Sequence, residues 1–253
     1  MRGWFLEGIT NGIRTTRFPR REEHAPGVDP GAPVDTRMHS PREAEALAAC
    51  CPTGALRAHD TEVVVDASRC VLCYRCLRRD GPAMNWTDDR VPAAGGRRAE
   101  AHAPDTGLGA AFRASLQILV VDAGDCGACL NEVRQLNNPY YNLHRFGFFL
   151  TPTPRHADLL LVVGPVTDAM RHPLLSAWQA MPEPRRVMAV GTCAITGSVF
   201  GPSFTCGTGA KEVLPVDIEV PGSPPSPREI LRALLALTAG GGAPRSLPQG
   251  ASS

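Results

Sequence analysis

The 253-residue sequence contains no apolar run long enough to cross a bilayer. Its apolar runs, such as residues 157–163, stay far below the ~20 consecutive apolar residues that a membrane-spanning helix needs. The formal net charge is only +1, so the chain has no overall basic field that would attract nucleic acid. We therefore expect no direct membrane span and no nucleic-acid partner.

Residues 1–21 carry several arginines but lack the apolar run of a signal peptide. This pattern predicts an unexported, cytoplasmic chain. In such a chain, nine cysteines indicate metal binding or redox chemistry, because disulfide frameworks belong to oxidising compartments.

Composition divides the chain into five predicted segments. They are an extended N-terminal arm (1–40), a compact cysteine-rich domain (41–80), a linker (81–114), a larger domain (115–239) and a disordered Gly/Pro/Ser-rich tail (240–253).

The larger domain contains apolar stretches that are typical of strands buried on both faces. They are Leu116–Asp122, residues 157–164 and residues 186–191. Helices are predicted between and after these strands, at Asp168–Ala180 and Pro227–Ala239. Alternation of buried strands and helices predicts a parallel α/β sheet, in which ligands bind at the carboxyl ends of the strands. Cys126 and Cys193 each follow a predicted strand within a few residues.

The first group of cysteines matches the ligand spacing of a bacterial ferredoxin. Cys70, Cys73 and Cys76 form a Cys-x2-Cys-x2-Cys run, and Cys51-Pro52 has the Cys-Pro form of the distant fourth ligand. This pattern predicts one [4Fe–4S] cluster in a small α+β ferredoxin-like domain. Zinc is the competing interpretation of four cysteines, although zinc sites usually combine two separate Cys-x2-Cys pairs.

Cys50 is adjacent to Cys51, and the proline that follows Cys51 favours Cys51 as the ligand. Ferredoxins with two clusters would need a second complete ligand set. All four of its positions hold other residues here, namely Pro41, Ala44, Leu47 and Asp80. Because all four ligands of one cluster are missing together, the sequence predicts a two-cluster ferredoxin fold that has kept only one cluster site.

The second group begins with Cys126 and Cys129, a Cys-x2-Cys pair that alone would also fit a thioredoxin-like redox motif. Four stretches of the larger domain together carry a more specific resemblance. They are VVDAGDCGACLNE, RFGFFLTPTPRHADLLLVVGPVTDAM, GTCAITG and PVDIEVPGSPPSP. This part of the chain resembles the small iron–sulfur subunit of membrane-bound, energy-converting (formate hydrogenlyase-type, group 4) [NiFe]-hydrogenases and the complex I 20 kDa subunit family. With the upstream domain, it is similar to small subunits fused to an N-terminal ferredoxin-like domain.

The resemblance implies a flavodoxin-like parallel-sheet domain and a second [4Fe–4S] cluster held by Cys126, Cys129 and Cys193. The family's fourth ligand is a cysteine in Pro-Gly-Cys-Pro-Pro, and Ser223 occupies that position here. A serine alkoxide is a harder donor than thiolate, so Cys206 is the alternative fourth ligand.

The resemblance also implies the role of the chain. It predicts a non-catalytic redox subunit of an oxidoreductase complex that relays electrons between a ferredoxin-like cluster and the active site of a large subunit. Membrane subunits would hold the complex on the cytoplasmic face. Glu132 matches an acidic position near the partner's active site and is a candidate for proton transfer. The alternative is a subunit of a hydrogenase-related complex without hydrogenase activity, whose second cluster is modified or lost.

Overall fold

The computed structural model describes residues 3–12, 15–20, 31–35, 37–78, 80, 83–87, 108–199 and 201–239. The predicted disordered tail and most of the predicted linker lie outside these residues, as do parts of the N-terminal arm.

The N-terminal arm contains a helix, although an extended segment was predicted. Helix α1 (Trp4–Asn11) buries none of its residues. Further along, the arm packs on the larger domain of the same chain. Thr16 N–H donates to the Tyr140 carbonyl at 2.9 Å, and the Arg145 guanidinium donates to the carbonyls of Thr16 and Phe18 at 2.6 and 2.7 Å. The Phe18 ring joins the core of that domain.

The small domain is one helix with two antiparallel two-stranded ribbons. Its elements are β1 (Ala32–Val34), α2 (Pro41–Ala49), β2 (Leu56–His59), β3 (Glu62–Val65) and β4 (Asn85–Thr87). Strands β2 and β3 form a hairpin, whereas β1 pairs with the distant β4. The ribbon of β1 and β4 brings chain from outside residues 41–80 against the cysteine-rich segment. The ferredoxin-like character of this domain remains a prediction.

Helix α2 occupies the positions of the predicted lost cluster site. Ser40 and Glu43 form a reciprocal capping box at its start, and Pro41 takes the first helical position. Ala44 and Leu47 lie on one face of the helix and are fully buried in the small core. Apolar packing therefore fills this side of the domain. The fourth position, Asp80, is exposed.

The larger domain alternates strands and helices. Its elements are β5 (Leu116–Asp122), α3 (Ala128–Gln135), β6 (Phe148–Leu150), β7 (Leu159–Val163), α4 (Asp168–Ala180), β8 (Arg186–Val190), α5 (Thr192–Thr196), β9 (Ile218–Val220) and α6 (Pro227–Ala239). All neighbouring strand pairs are parallel, in the order β6-β5-β7-β8-β9. Numbered within the domain this is 2-1-3-4-5, the order of flavodoxin-like sheets. The predicted parallel α/β fold is confirmed.

The sheet is covered on both faces, which explains why its central strands are continuously apolar. Every residue of β7 and β8 is buried. Helices α3 and α6 pack on one face, and α4 and α5 pack on the other. In the described part of the chain, no helix has the length and apolar character of a membrane span.

The two domains meet through α5. This helix contacts the 3₁₀ turn Ala67–Arg69 of the small domain, with Cα atoms of the two elements within 8 Å. The turn immediately precedes Cys70, and α5 carries Cys193. The packing of the domains therefore brings the two groups of cysteines to the same interface.

Candidate functional site

The first cysteine site, defined as Cys51, Cys70, Cys73 and Cys76, surrounds a cavity of the small domain. All four predicted ligands line this cavity, whereas Cys50 is absent from its wall. Among the described residues, no three His, Cys, Asp or Glu side chains are grouped as ligands of a single ion. Zinc needs its thiolates within about 2.3 Å of one point, whereas a cubane takes one thiolate at each of four irons. Four cysteines around one cavity meet the cubane's need for one thiolate at each iron.

The Cys51 thiol lies among hydrogen-bond donors. The Ala55 N–H donates to its sulfur at 3.3 Å, and the Thr53 hydroxyl lies 3.6 Å from it. Burial acts to raise the pKa of Cys51, but these bonds and the nearby backbone N–H groups hold the pKa below its usual value. A thiolate is therefore favoured at this position, as a metal ligand requires.

The loop that carries the other three cysteines has an unusual backbone. Leu72 and Tyr74, on either side of Cys73, both have positive φ angles, of 58° and 60°. Such angles are uncommon for residues other than glycine and occur preferentially where function constrains the chain. The Thr53 hydroxyl donates to the Arg69 carbonyl at 2.8 Å, which ties the Cys51 turn to this loop.

An aromatic pair in the cavity wall was missed by sequence reasoning. Trp86 of β4 lies opposite Pro33 of β1, and both residues line the cavity. The Trp86 ring stacks on Tyr74 with centroids 4.5 Å apart. Burial raises the pKa of Cys76 to about 11, and the Trp86 indole N–H partly offsets this increase. Composition had assigned Trp86 to the linker, since a strand of three residues gives no measurable periodicity.

The second cysteine site, defined as Cys126, Cys129, Cys193 and Ser223, lies at the carboxyl edge of the sheet. Cys126 and Cys129 follow β5, Cys193 is on α5 directly after β8, and Ser223 follows β9. Parallel strands end on the same edge, so the topology gathers residues that are almost 100 positions apart in sequence.

Cys129 and Cys193 lie close enough to other thiols of the site for their pKa values to be affected. Burial first, and then the Asp125 carboxylate and the other two thiols, raise the pKa of Cys129 to about 12. The pKa of Cys193 is raised by burial and by Cys126 as well. Bound cations reverse this effect, because they favour deprotonated thiols. The donor set therefore fits an iron–sulfur cluster.

Asp125 holds the loop that carries the Cys-x2-Cys pair. Its Oδ2 accepts hydrogen bonds from Gly127 N–H and Leu130 N–H, both at 3.0 Å. The bond to Leu130 satisfies a free N–H group in the first turn of α3, as a cap does. Asp125 was not selected from the sequence, although its place just before a helix was a usable signal.

Gly191 supports the second cysteine site by its lack of a side chain. Its φ angle is 92°, and a Cβ atom at this position would overlap the Cys129 sulfur. The backbone just after β8 therefore approaches the thiol as closely as glycine allows.

Gly191→Ala is expected to abolish the second cluster and to leave the first intact, because the new methyl group displaces Cys129. Electron paramagnetic resonance (EPR) of the reduced protein measures both signals. Gly201→Ala is a matched control, since Gly201 also has a positive φ angle of 100° but has open space around its Cα. Retention of both signals in Gly191→Ala would contradict this role.

The structure places both candidates for the fourth ligand, Ser223 and Cys206, in the neighbourhood of Cys193. The Gly222 carbonyl accepts a hydrogen bond from Thr192 N–H at 2.7 Å, which holds the Ser223 turn beside α5. Ser223 is half-buried. Cys206 is buried, lies close enough to Cys193 to raise its pKa, and has its sulfur 3.1 Å from the Ser203 hydroxyl. Both alternatives therefore remain open.

Comparison with known proteins identifies the larger domain. Residues 126–237 match the family model described as NADH ubiquinone oxidoreductase, 20 Kd subunit. The probable membrane-bound hydrogenase subunit mbhJ of Pyrococcus furiosus is 39% identical over 115 residues, which make up 46% of this chain and 69% of that protein. The chain belongs to the 20 kDa subunit family.

Other members of the 20 kDa subunit family show similar identity. Formate hydrogenlyase subunit 7 of Escherichia coli is 39% identical over 120 residues, and an NADH-quinone oxidoreductase subunit of Carboxydothermus hydrogenoformans is 42% identical over 110. These matches cover 47% and 43% of this chain, and 47% and 66% of the two relatives. The chain thus spans about half the length of formate hydrogenlyase subunit 7.

Proposed function

We propose that the chain is an electron-transfer iron–sulfur subunit, with one [4Fe–4S] cluster in each cysteine site. The observation that carries this proposal is the contact between α5 and the turn Ala67–Arg69, because it joins the segments that bear Cys193 and Cys70. Bound clusters would take up and release single electrons. The chain itself would bind the two clusters and hold them close to each other.

The residues proposed as ligands divide by site. Cys51, Cys70, Cys73 and Cys76 would hold the first cluster, and their places around one cavity support this assignment. Cys126, Cys129 and Cys193 would hold three corners of the second. Ser223 or Cys206 would complete it.

The proposed partners follow from the family. Its members include subunits of enzymes named formate hydrogenlyase, membrane-bound hydrogenase and NADH-quinone oxidoreductase. We propose that this chain passes electrons to or from a large catalytic subunit and carries no catalytic nucleophile. Membrane subunits of the same complex would hold it at the cytoplasmic face of the membrane.

Purification of the native complex through a tag on this chain tests the proposal. We expect about eight irons per chain and a co-purifying large subunit. A large subunit with two Cys-x2-Cys pairs near its ends would identify a [NiFe]-hydrogenase. An iron-free complex would overturn the proposal.

A second candidate function is favoured by Ser223. If its replacement of cysteine reflects loss of the second cluster, the chain is a structural or electron-transfer subunit of a hydrogenase-related complex without hydrogenase activity. About four irons per chain, with a partner that lacks the two Cys-x2-Cys pairs, would support this alternative.

Glu132 is proposed to transfer protons beside the second cysteine site. It is half-buried on α3, three residues after Cys129, and burial raises the pKa of its carboxyl. We expect Glu132→Gln to lower turnover of the complex by about 10²-fold or more, as loss of an acid–base group does, with both EPR signals unchanged. Unchanged turnover would assign Glu132 to helix stability alone.

A further inference from the structure

The Trp86 indole is fixed in the wall of the first cysteine site. Its backbone is paired in the ribbon of β1 and β4, where Trp86 faces Pro33. One face of the ring stacks on Tyr74, with an interplanar angle of 21°. Tyr74 lies between Cys73 and Cys76, so this stack attaches the indole to the cysteine loop itself.

The indole nitrogen is an unsatisfied polar atom in this wall. Trp86 Nε1 is buried and has no hydrogen-bond partner among the residues that the structure describes, although the ring as a whole is only half-buried. Buried N–H groups normally have a partner, and each exception calls for an explanation. Trp86 and Cys76, a proposed iron ligand, line the same cavity. Hydrogen bonds to the ligand sulfurs are one of the factors that set the reduction potential of a cluster.

We propose that Trp86 donates a hydrogen bond to the sulfur of the first cluster site and so raises the reduction potential of the bound cluster. This inference rests on the proposed first cluster. The physical reason is electrostatic: reduction adds negative charge to the cluster, and an N–H donor stabilises the more negative state. Trp86 is thus a positioning residue that binds no iron. Its hydrogen bond would change the reduction potential of the first cluster relative to that of the second. The direction of electron flow depends on this difference.

Potentiometric titration of the full-length protein, followed by EPR, tests the proposal. Trp86→Phe keeps an aromatic ring against Tyr74 and removes only the donor. We expect the first signal to persist with a midpoint potential more negative than in the wild type. The second cluster, if present, gives an internal reference that should not move. Tyr74→Phe is the matched control, because it keeps the stacked ring and Trp86, and its potential should equal that of the wild type.

A measurement on the unaltered protein covers the case in which Trp86→Phe loses its cluster. Tryptophan labelled with 15N in the indole ring should give a hyperfine coupling to the reduced first cluster in pulsed EPR. Trp4 and Trp178 do not line this cavity. An unshifted potential in Trp86→Phe, or no 15N coupling in the wild type, overturns the inference while the first cluster stands. Absence of the first signal from the wild type overturns the proposed cluster and this inference with it.

Discussion

Cys51→Ala is expected to remove the first cluster, whereas Cys50→Ala is expected to leave it in place. The two cysteines are adjacent, but only Cys51 lines the cavity and receives the Ala55 N–H. Loss of one thiolate leaves one iron without a protein ligand. The expected change in Cys51→Ala is therefore loss of the whole EPR signal and of about four irons per chain.

Cys73→Ala provides an independent test of the same site, because Cys73 is the exposed member of the set and contributes little to packing. It should lose the first signal while the fold persists, as judged by circular dichroism. An unchanged signal in Cys73→Ala would exclude this cysteine as a ligand. Loss of the signal in Cys50→Ala, with retention in Cys51→Ala, would reverse the assignment of the fourth ligand.

Ser223→Cys is expected to strengthen the second cluster if Ser223 or solvent now completes it. Thiolate is the softer donor that iron–sulfur clusters select, so the substitution would create a site with four thiolates. The second EPR signal should sharpen and its potential should rise. Iron loss to a chelator should slow by about tenfold or more, the range expected when a metal site gains a supporting interaction.

Cys206→Ser separates the alternatives for this site. If Cys206 supplies the fourth thiolate, Cys206→Ser should destroy the second cluster and Ser223→Cys should change little. If Ser223 is the ligand, Cys206→Ser should keep the signal. If neither substitution changes iron content and the wild type holds only about four irons, the larger domain carries no cluster. The proposed electron transfer between two clusters is then wrong.

The fold of the larger domain was predictable because burial on both faces leaves a direct record in sequence. The run at Leu116–Asp122 is β5 to the residue, and the predicted helices at Asp168–Ala180 and Pro227–Ala239 have the observed bounds. Apolar continuity identified the strands, and strand order placed Cys126 and Cys193 at one edge.

The parts that were missed depend on contacts between distant segments. Strand β4 has three residues and exists through its pairing with β1, more than 50 positions earlier in the chain. Trp86 therefore had no local signal that linked it to the cysteines. Gly191 is similar, since the thiol that would meet its side chain belongs to another loop. The contact between α5 and the turn Ala67–Arg69 could not be predicted from the sequence either, because both elements are short.

EPR of the fully reduced, full-length protein with quantified spins tests the central claim most directly. Two clusters held beside the contact between α5 and the turn Ala67–Arg69 should give about two spins per chain, with signals broadened by their mutual interaction. A single unbroadened signal that integrates to about one spin per chain would contradict a relay between two adjacent clusters.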